Sequence, residues 1–454
     1  MKKKILSMVL ALCMVLAVLP RAAFAVAETG TAYVDGIGYH YEELTAATVE
    51  ITGYDGNTEP TGHLTIPAAL GGKNVTKIGD YAFSECAGLE TVTFQPGSQL
   101  KTIDIAAFYQ CGALTEITIP DSVTTIGAGA FELCEKLDVT VPAGVTAIGG
   151  GAFNLVKSVD LSANTNYKPE AGLILTKDGK TVVSCVARAA KVTIPAGVET
   201  IEGYALEACE MTGVELPAGL KKIGDHAFYH CYDLTEITIP EGVTKIGAYA
   251  FSESALKNIT IPKSVTEIGA YAFYYCYDLT EATISGDALK IGDYAFYYCY
   301  DLTKATICEG VTKIGERSFY CCYALTDVVI SKSVTEIGGW AFDECRDLTE
   351  ITIPAGVEAI GASAFYECKN LETVTVLSKT AAIGEHAFAR SDGSGGYVIN
   401  PAVKTVNYAG TEAEWNAAKG DRTNADLGIP DTCTIHYNYP LPVYKITEGG
   451  DATW

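Results

Sequence analysis

The sequence predicts a solenoid of about 13 stacked units of 22–23 residues, mainly β with short helical turns, closed by a cap at each end. Three observations predict it. An Ala-Phe dipeptide recurs at fixed spacing. A segment of alternating apolar residues accompanies each copy. Positions between copies repeat their chemistry at matching offsets, which a stack converts into rows of side chains. The marker residues are Phe83, Phe108, Phe131, Phe153, Phe228, Phe251, Phe273, Phe296, Phe319 (after Ser318), Phe342, Phe365 and Phe388, with Leu206 in the equivalent place after Ala205. Steps are 22 or 23 residues, apart from a first step of 25 and one of 53, Phe153 to Leu206, which holds an insertion.

The chain opens with Lys2, Lys3 and Lys4, an apolar run over 5–19, and small residues at Ala23 and Ala25. That order reads as a secretory signal peptide over 1–25, with cleavage expected after Ala25 and Ala27 as the alternative. The run falls short of the ~20 residues that span a membrane comfortably. No later stretch approaches that length, so no transmembrane segment is expected in the mature chain. Residues 26–70 read as an N-terminal cap, with short strands and turns at Asp35-Gly36 and Asp55-Gly56.

One clean unit begins Leu234-Thr-Glu-Ile237-Thr-Ile239-Pro240. Its spacing alternates inward apolar and outward polar side chains, as a half-buried strand requires. Pro240 cannot donate to a ladder and ends the strand. Val243 and Ile246 start a second extended piece, and Gly247 is expected to permit a turn that other residues resist. Ala250-Phe251 then packs small and large apolar groups on the return path, expected as a helical turn. No single unit can bury its apolar face; stacking buries it in continuous ladders.

The unit LTEITIPEGVTKIGAYAFSES resembles the BspA-like leucine-rich repeats of bacterial surface proteins, over nearly the whole mature chain. The resemblance implies a leucine-rich-repeat solenoid with a surface-associated adhesion or host-interaction role, and names no single ligand. On this reading the solenoid covers 71–390. Its insertion, about 157–195, contains GLILTKDGKTVVSCV, in which Asp178-Gly179 between β-rich runs signals a hairpin. That hairpin, which recurs in the resembled family, is expected to project from the stack. Residues 391–454 form a C-terminal cap and tail. There Thr411 and Glu414 have the spacing of a capping box ahead of Trp415, and CTIHYNY reads as a closing strand.

The full chain carries a net charge of −23. Removal of 1–25 takes away four cations and no acid, leaving 28 basic against 55 acidic residues, a balance of −27. Such a surface repels nucleic acid and anionic lipid and suits cations or basic proteins.

Cysteine, histidine and tyrosine are the residue types that could carry chemistry. Ten of the 15 cysteines lie three residues after the marker: Cys86, Cys111, Cys134, Cys209, Cys231, Cys276, Cys299, Cys322, Cys345 and Cys368. A row cannot supply the four converging ligands of zinc; packed free thiols are expected, with disulfides between neighbouring rungs as the alternative. His226 and His230 flank Phe228, but the place of His226 is taken by Tyr249, Tyr271 and Tyr294 in sister units, so it reads as a variable surface position without a catalytic constellation. No cofactor motif and no catalytic residue is expected.

Tyrosine carries the binding hypothesis. Fourteen of the 27 lie between Tyr204 and Tyr323. Tyr229 and Tyr232, Tyr274, Tyr275 and Tyr277, Tyr297, Tyr298 and Tyr300, and Tyr320 and Tyr323 repeat at fixed offsets. They are expected either to form exposed columns suited to protein or sugar recognition or to shield the Ala-Phe ladder. The alternative face is that of the L-x-x-L-x-L strand, with outward pairs Glu236/Thr238, Asn258/Thr260, Glu281/Thr283, Lys304/Thr306 and Glu350/Thr352. The function expected is non-catalytic binding of an extracellular protein or glycan by a secreted or cell-surface protein. The alternative is a structural surface protein without a specific ligand. Oligomeric state is left open.

Overall fold

The computed structural model describes residues 29–394 and 396–440, with the strand backbone at 445–446 and 452–453. The signal peptide expected over 1–25 lies outside the described residues. The protein is a β-solenoid of about 15 turns of roughly 23 residues, with very little helix. The stack runs past the 13 marker turns at both ends. Tyr54 stacks on Phe83 at 6.2 Å, and the Phe388 N–H donates to the Leu427 carbonyl at 2.8 Å.

Two strands per turn build two parallel ladders. The L-x-x-L-x-L strands form short sheets, such as Asn258–Ile261, Glu281–Ile284, Lys304–Ile307 and Asp327–Ile330 paired in register. The Val-x-x-Ile strands belong to longer sheets, of 8 strands in the first half, cap strands included, and 12 in the second, insertion strands included. Inward residues alternate as the pleat requires. Ile259 and Ile261 are buried while Asn258 and Thr260 are exposed. The marker phenylalanines close the core. All 12 are fully buried, and ring centroids within each half lie 4.9–5.7 Å apart. Burial of each ring is worth roughly 1.5–3 kcal/mol.

Two local expectations are corrected. The Ala-Phe arc is a run of hydrogen-bonded turns, not a helical turn. Its backbone N–H groups donate to the next unit, as Tyr249 to Ala270, Phe251 to Ala272 and Glu253 to Tyr274. Gly247 is required by close approach and not by backbone freedom: a Cβ there would stand 2.5 Å from the backbone nitrogen of Asp225 in the preceding turn.

The insertion hairpin does not project. Its strands Leu173–Thr176 and Thr181–Cys185 join the 12-stranded sheet, because Thr181 and Val182 pair in parallel with Thr200 and Ile201. Ile174 and Val183 pack into the core of the first half; Leu173, Leu175, Val182 and Cys185 pack into that of the second. Burial on both faces makes the hairpin a partition between two cores. At the ends, Thr29–Val34 and Ile37–Thr45 meet through Asp35-Gly36, both at positive φ as that hairpin turn demands. The Thr411/Glu414 capping box is formed and opens the helix Glu412–Lys419, which buries Trp415.

Candidate ligand-binding surface

The aromatic residues sit on the Ala-Phe arc, where each turn places them in four columns. Counting from the marker, the columns fall two residues before it and one, two and four residues after it. The column before the marker runs Tyr204, His226, Tyr249, Tyr271 and Tyr294, with ring centroids 4.6–4.8 Å apart and planes within 11° of parallel. Arg317 continues it, its guanidinium 5.7 Å from the Tyr294 ring and 4.4 Å from that of Trp340. The column just after the marker stacks Tyr274 on Tyr297 at 5.6 Å and Tyr297 on Tyr320 at 4.7 Å. The next stacks Tyr275 on Tyr298 at 4.9 Å. The outermost stacks Tyr277, Tyr300 and Tyr323 at 5.4 and 4.9 Å, and Arg346 lies 4.2 Å over Tyr323.

Lateral contacts join the columns into one surface. Tyr271 meets Tyr274 edge-on at 5.5 Å, Tyr274 meets Tyr275 at 4.0 Å, and Tyr275 meets Tyr277 at 5.2 Å. Most rings are half-buried; Tyr232 and Tyr277 are exposed at 57% and 44%. Burial pushes the phenols of Tyr204, Tyr271 and Tyr277 up to about 12, so they remain neutral donors at ordinary pH. Thus the rings both cover the phenylalanine ladder and present edges and hydroxyls outward.

The backbone under two of these columns is unusual. Residues two before and two after the marker adopt positive φ in turn after turn: Tyr249 and Glu253, Tyr271 and Tyr275, Tyr294 and Tyr298 all lie between 54° and 63°. Only Gly129 and Gly151 meet this demand with glycine among the marker turns. A bulky side chain there costs about 1–2 kcal/mol. The same conformation recurs at residues without rings, such as Ala106, Gln110, Leu133 and Ser363, so it belongs to the repeat, whose N–H groups at these positions donate to the next turn.

Ten tyrosines that the repeat singles out are thus placed on one face. The column before the marker was missed, although Tyr249, Tyr271 and Tyr294 already showed the recurrence. His226 belongs to that column and is not a free surface position. It is stacked on both sides, and burial lowers its imidazole pKa to about 4, so it carries no charge at neutral pH.

The alternative strand face is regular but self-compensating. Asn258, Glu281, Lys304 and Asp327 stand in register, and Lys304 reaches Asp327 at 3.7 Å; Thr260, Thr283 and Thr306 form the second row. Glu236 is approached by Lys191 at 3.5 Å, and Glu350 and Thr352 lie exposed at the start of the next short sheet. Thr238 departs from the expected row. It is exposed, but the strand of its turn is only Glu236–Ile237, so Thr238 lies beyond the ladder and does not continue the threonine row that starts at Thr260. The reason is a break between sheets. Glu236 and Ile237 pair back with Gly213 and Val214 and close the 3-stranded sheet, and the next sheet opens afresh at Asn258.

The cysteines form no site. All 14 within the described residues are free, and among those residues no three His, Cys, Asp or Glu side chains converge to hold a metal. Column thiols donate to the marker carbonyl of the preceding turn, as Cys276 to Phe251 and Cys299 to Phe273, both at 3.2 Å.

Residues 63–168, 184–280 and 266–394 match the BspA type Leucine rich repeat region. The chain belongs to this family. Solved leucine-rich-repeat structures resemble it along most of its length. A leucine-rich repeat protein from Bacteroides ovatus is 25% identical, with a TM-score of 0.51, 92% of this chain covered and 100% of that one. A leucine rich cell surface protein from Faecalibacterium prausnitzii is 27% identical, with a TM-score of 0.43, 87% of this chain covered and 99% of the other. Comparison with curated proteins gives no match. No helix among the described residues of this BspA-type protein is long and apolar enough to cross a membrane.

Proposed function

We propose that this BspA-type repeat protein is exported by the signal peptide over 1–25 and acts outside the cell, free or surface-associated, as a non-catalytic binding protein. The cap over 26–70, the solenoid over 71–390 and the cap and tail over 391–454 serve to present one face. That face is the aromatic surface between Tyr204 and Tyr323, and its ligand is an extracellular protein or glycan. One observation carries the reading: Tyr274, Tyr297 and Tyr320 stack in line and touch their lateral neighbours, giving a rigid amphipathic surface at low entropic cost. The self-paired charges of the strand face, and the break in its threonine row at Thr238, make it the weaker candidate.

The test is a screen of the mature protein against glycan and extracellular-matrix panels, with a Tyr274/Tyr297/Tyr320 triple alanine variant beside it. Binding by the wild type and its loss in the variant is the expected result. Equal binding by both removes the tyrosines from the site, and binding to nothing on either panel favours a structural surface protein.

A further inference from the structure

One turn breaks the aromatic surface. Where its neighbours carry tyrosine or histidine, the Phe251 turn carries Ser252, Glu253 and Ala255. The result is a notch one turn wide. Tyr229, His230 and Tyr232 stand on one side of it; Tyr274, Tyr275 and Tyr277 stand on the other. Tyr232 and Tyr277 form the outer walls. They are the most exposed rings of this face: the turn between them is one residue shorter, with only Ala255 between Ser254 and Leu256 where the neighbours have Tyr232-Asp233 and Tyr277-Asp278, and it carries no ring for either to stack on.

The dimensions suit a cation. Turns repeat at the strand spacing of about 4.8 Å, so rings two turns apart are separated by roughly 10 Å. A group midway lies about 5 Å from both centroids, inside the ~6 Å reach of a cation–π contact. Glu253 supplies the charge. Its Oε2 accepts the Tyr232 hydroxyl at 3.3 Å, and its Oε1 lies 3.3 Å from Nε2 of His230. Its side-chain partners are thus a phenol and an imidazole, and not a lysine or arginine. Its carboxylate adds to burial in raising the phenol pKa of Tyr229, Tyr232 and Tyr277, which places its field across the notch. Beneath, the Ser252 hydroxyl is buried without a hydrogen-bond partner.

The same surface already accepts guanidinium groups from its own chain. Arg317 lies between Tyr294 and Trp340, and Arg346 lies on Tyr323 beside Glu344. In each case an arginine stacked on an aromatic column also meets a carboxylate, Glu316 for Arg317 and Glu344 for Arg346. The notch offers two rings and a carboxylate with no arginine supplied. Exposed Asp233 and Asp278 flank it, and the whole chain is strongly acidic.

We propose that the notch at the Phe251 turn binds one cationic side chain, arginine or lysine, of a basic polypeptide, held between Tyr232 and Tyr277 and ion-paired with Glu253. This site presupposes that the aromatic face is a binding surface. A neutral glycan would gain from the rings but nothing from Glu253, so charge complementarity favours the polypeptide.

The experiment is calorimetric titration of the mature protein, at near-physiological salt, with an arginine-and-glycine peptide and its citrulline counterpart, a neutral isostere. The wild type is expected to bind the arginine peptide at least about tenfold more tightly than the citrulline one, the scale of one charge-assisted contact. Glu253→Gln should erase that preference. Ala255→Tyr should set a ring in the notch and abolish binding while melting like the wild type, which separates loss of the site from loss of the fold. Equal binding of the two peptides, or unaltered binding by both variants, overturns the proposal. A glycan or protein hit that needs Tyr274, Tyr297 and Tyr320 but ignores both variants leaves the aromatic face standing and removes the notch.

Discussion

The Cys111 thiol donates to the backbone carbonyl of Phe83 at 3.1 Å, across 28 residues of chain and one turn of the stack. The same bond recurs between Cys134 and Phe108, Cys231 and Leu206, Cys322 and Phe296, and Cys368 and Phe342. The cysteine row is therefore a hydrogen-bond ladder. Ser254, which interrupts it, keeps a hydroxyl in place 3.4 Å from Cys276 Sγ. Cys299→Ala should lower stability by about 1 kcal/mol through loss of the bond and a small void. Cys299→Ser should cost less, since its hydroxyl can still donate to Phe273. Chemical denaturation of both variants checks the order; a serine variant weaker than alanine would show that volume and not the bond matters.

Burial also pushes the thiol pKa values of Cys231, Cys299, Cys345 and Cys368 well above the ordinary thiol value. Reaction with thiol reagents needs the thiolate and access to it. These residues should resist labelling in the native protein and label fully in denaturant without prior reduction. Native labelling at the rate of a free thiol, or a mass change on reduction, would contradict the ladder.

Asn154 joins the two halves. Its Oδ1 accepts Ser184 Oγ and the Cys185 N–H, both at 2.9 Å, and its Nδ2 donates to the carbonyls of Tyr204 at 3.0 Å and Glu207 at 3.1 Å. All four hydrogen-bonding positions of the amide are used, in full burial. Asn154→Asp keeps the shape but sets an oxygen against two carbonyls. It should cost on the order of 3 kcal/mol. Because repeat stability passes between neighbours, the denaturation curve should split into two transitions, one for each side of the hairpin. A single, slightly shifted transition would show that the hairpin sheet, and not Asn154, carries the coupling.

The phenylalanine row, the two strands of each turn and the thiol row were legible in the sequence because each is a periodic signal repeated ten times or more. The hairpin was less so. Asp178-Gly179 announces the turn, but only the near-continuous apolar runs around Leu173–Leu175 and Val182–Val183 hint that both faces are buried, as in an interior strand. Thr238 shows the limit of the repeat itself: its unit reads like its neighbours, and nothing in the spacing marks where one short sheet ends and the next begins. The positive φ of Tyr249 and Tyr271 leaves no local mark, since nothing but glycine advertises that conformation. The notch at Glu253 is invisible for the opposite reason: one unit departs from the pattern, and periodicity averages it away.

Buried ionisable groups should make stability depend on pH. Burial, reinforced by the charges of Glu344 and Glu367, raises the Asp343 carboxyl to about 8, and burial raises Glu207 to about 8. In the unfolded chain both titrate near 4, so between about 4 and 8 the folded state holds more protons, and stability falls as pH rises through that range. His226 acts in the other direction. Its folded pKa of about 4 lies below the unfolded value near 6.5, so stability falls as pH drops from about 6.5 toward 4. In melting temperature against pH, Asp343→Asn should make the fall between about 4 and 8 shallower, and His226→Tyr should make it steeper between about 4 and 6.5, where the histidine opposes the acids. An unchanged profile in either variant would remove that residue from the account.

The positive φ at the column before the marker inverts a familiar order of substitution. In strands and helices glycine is less stable than alanine by roughly 0.5–1 kcal/mol. At Tyr271, with φ of 59°, alanine loses the ring and keeps the strain, whereas glycine loses the ring and releases it. Both lose stacking on Tyr249 at 4.7 Å and Tyr294 at 4.6 Å, worth about 0.5–1.5 kcal/mol for each pair. Tyr271→Gly should therefore be weaker than the wild type yet more stable than Tyr271→Ala by about 1 kcal/mol. Gly129 and Gly151 already hold the equivalent place in two turns of the first half. Denaturation of the three proteins side by side decides it. An alanine variant at least as stable as the glycine one would mean that the backbone bears no strain there, and that stacking needs no cost to overcome.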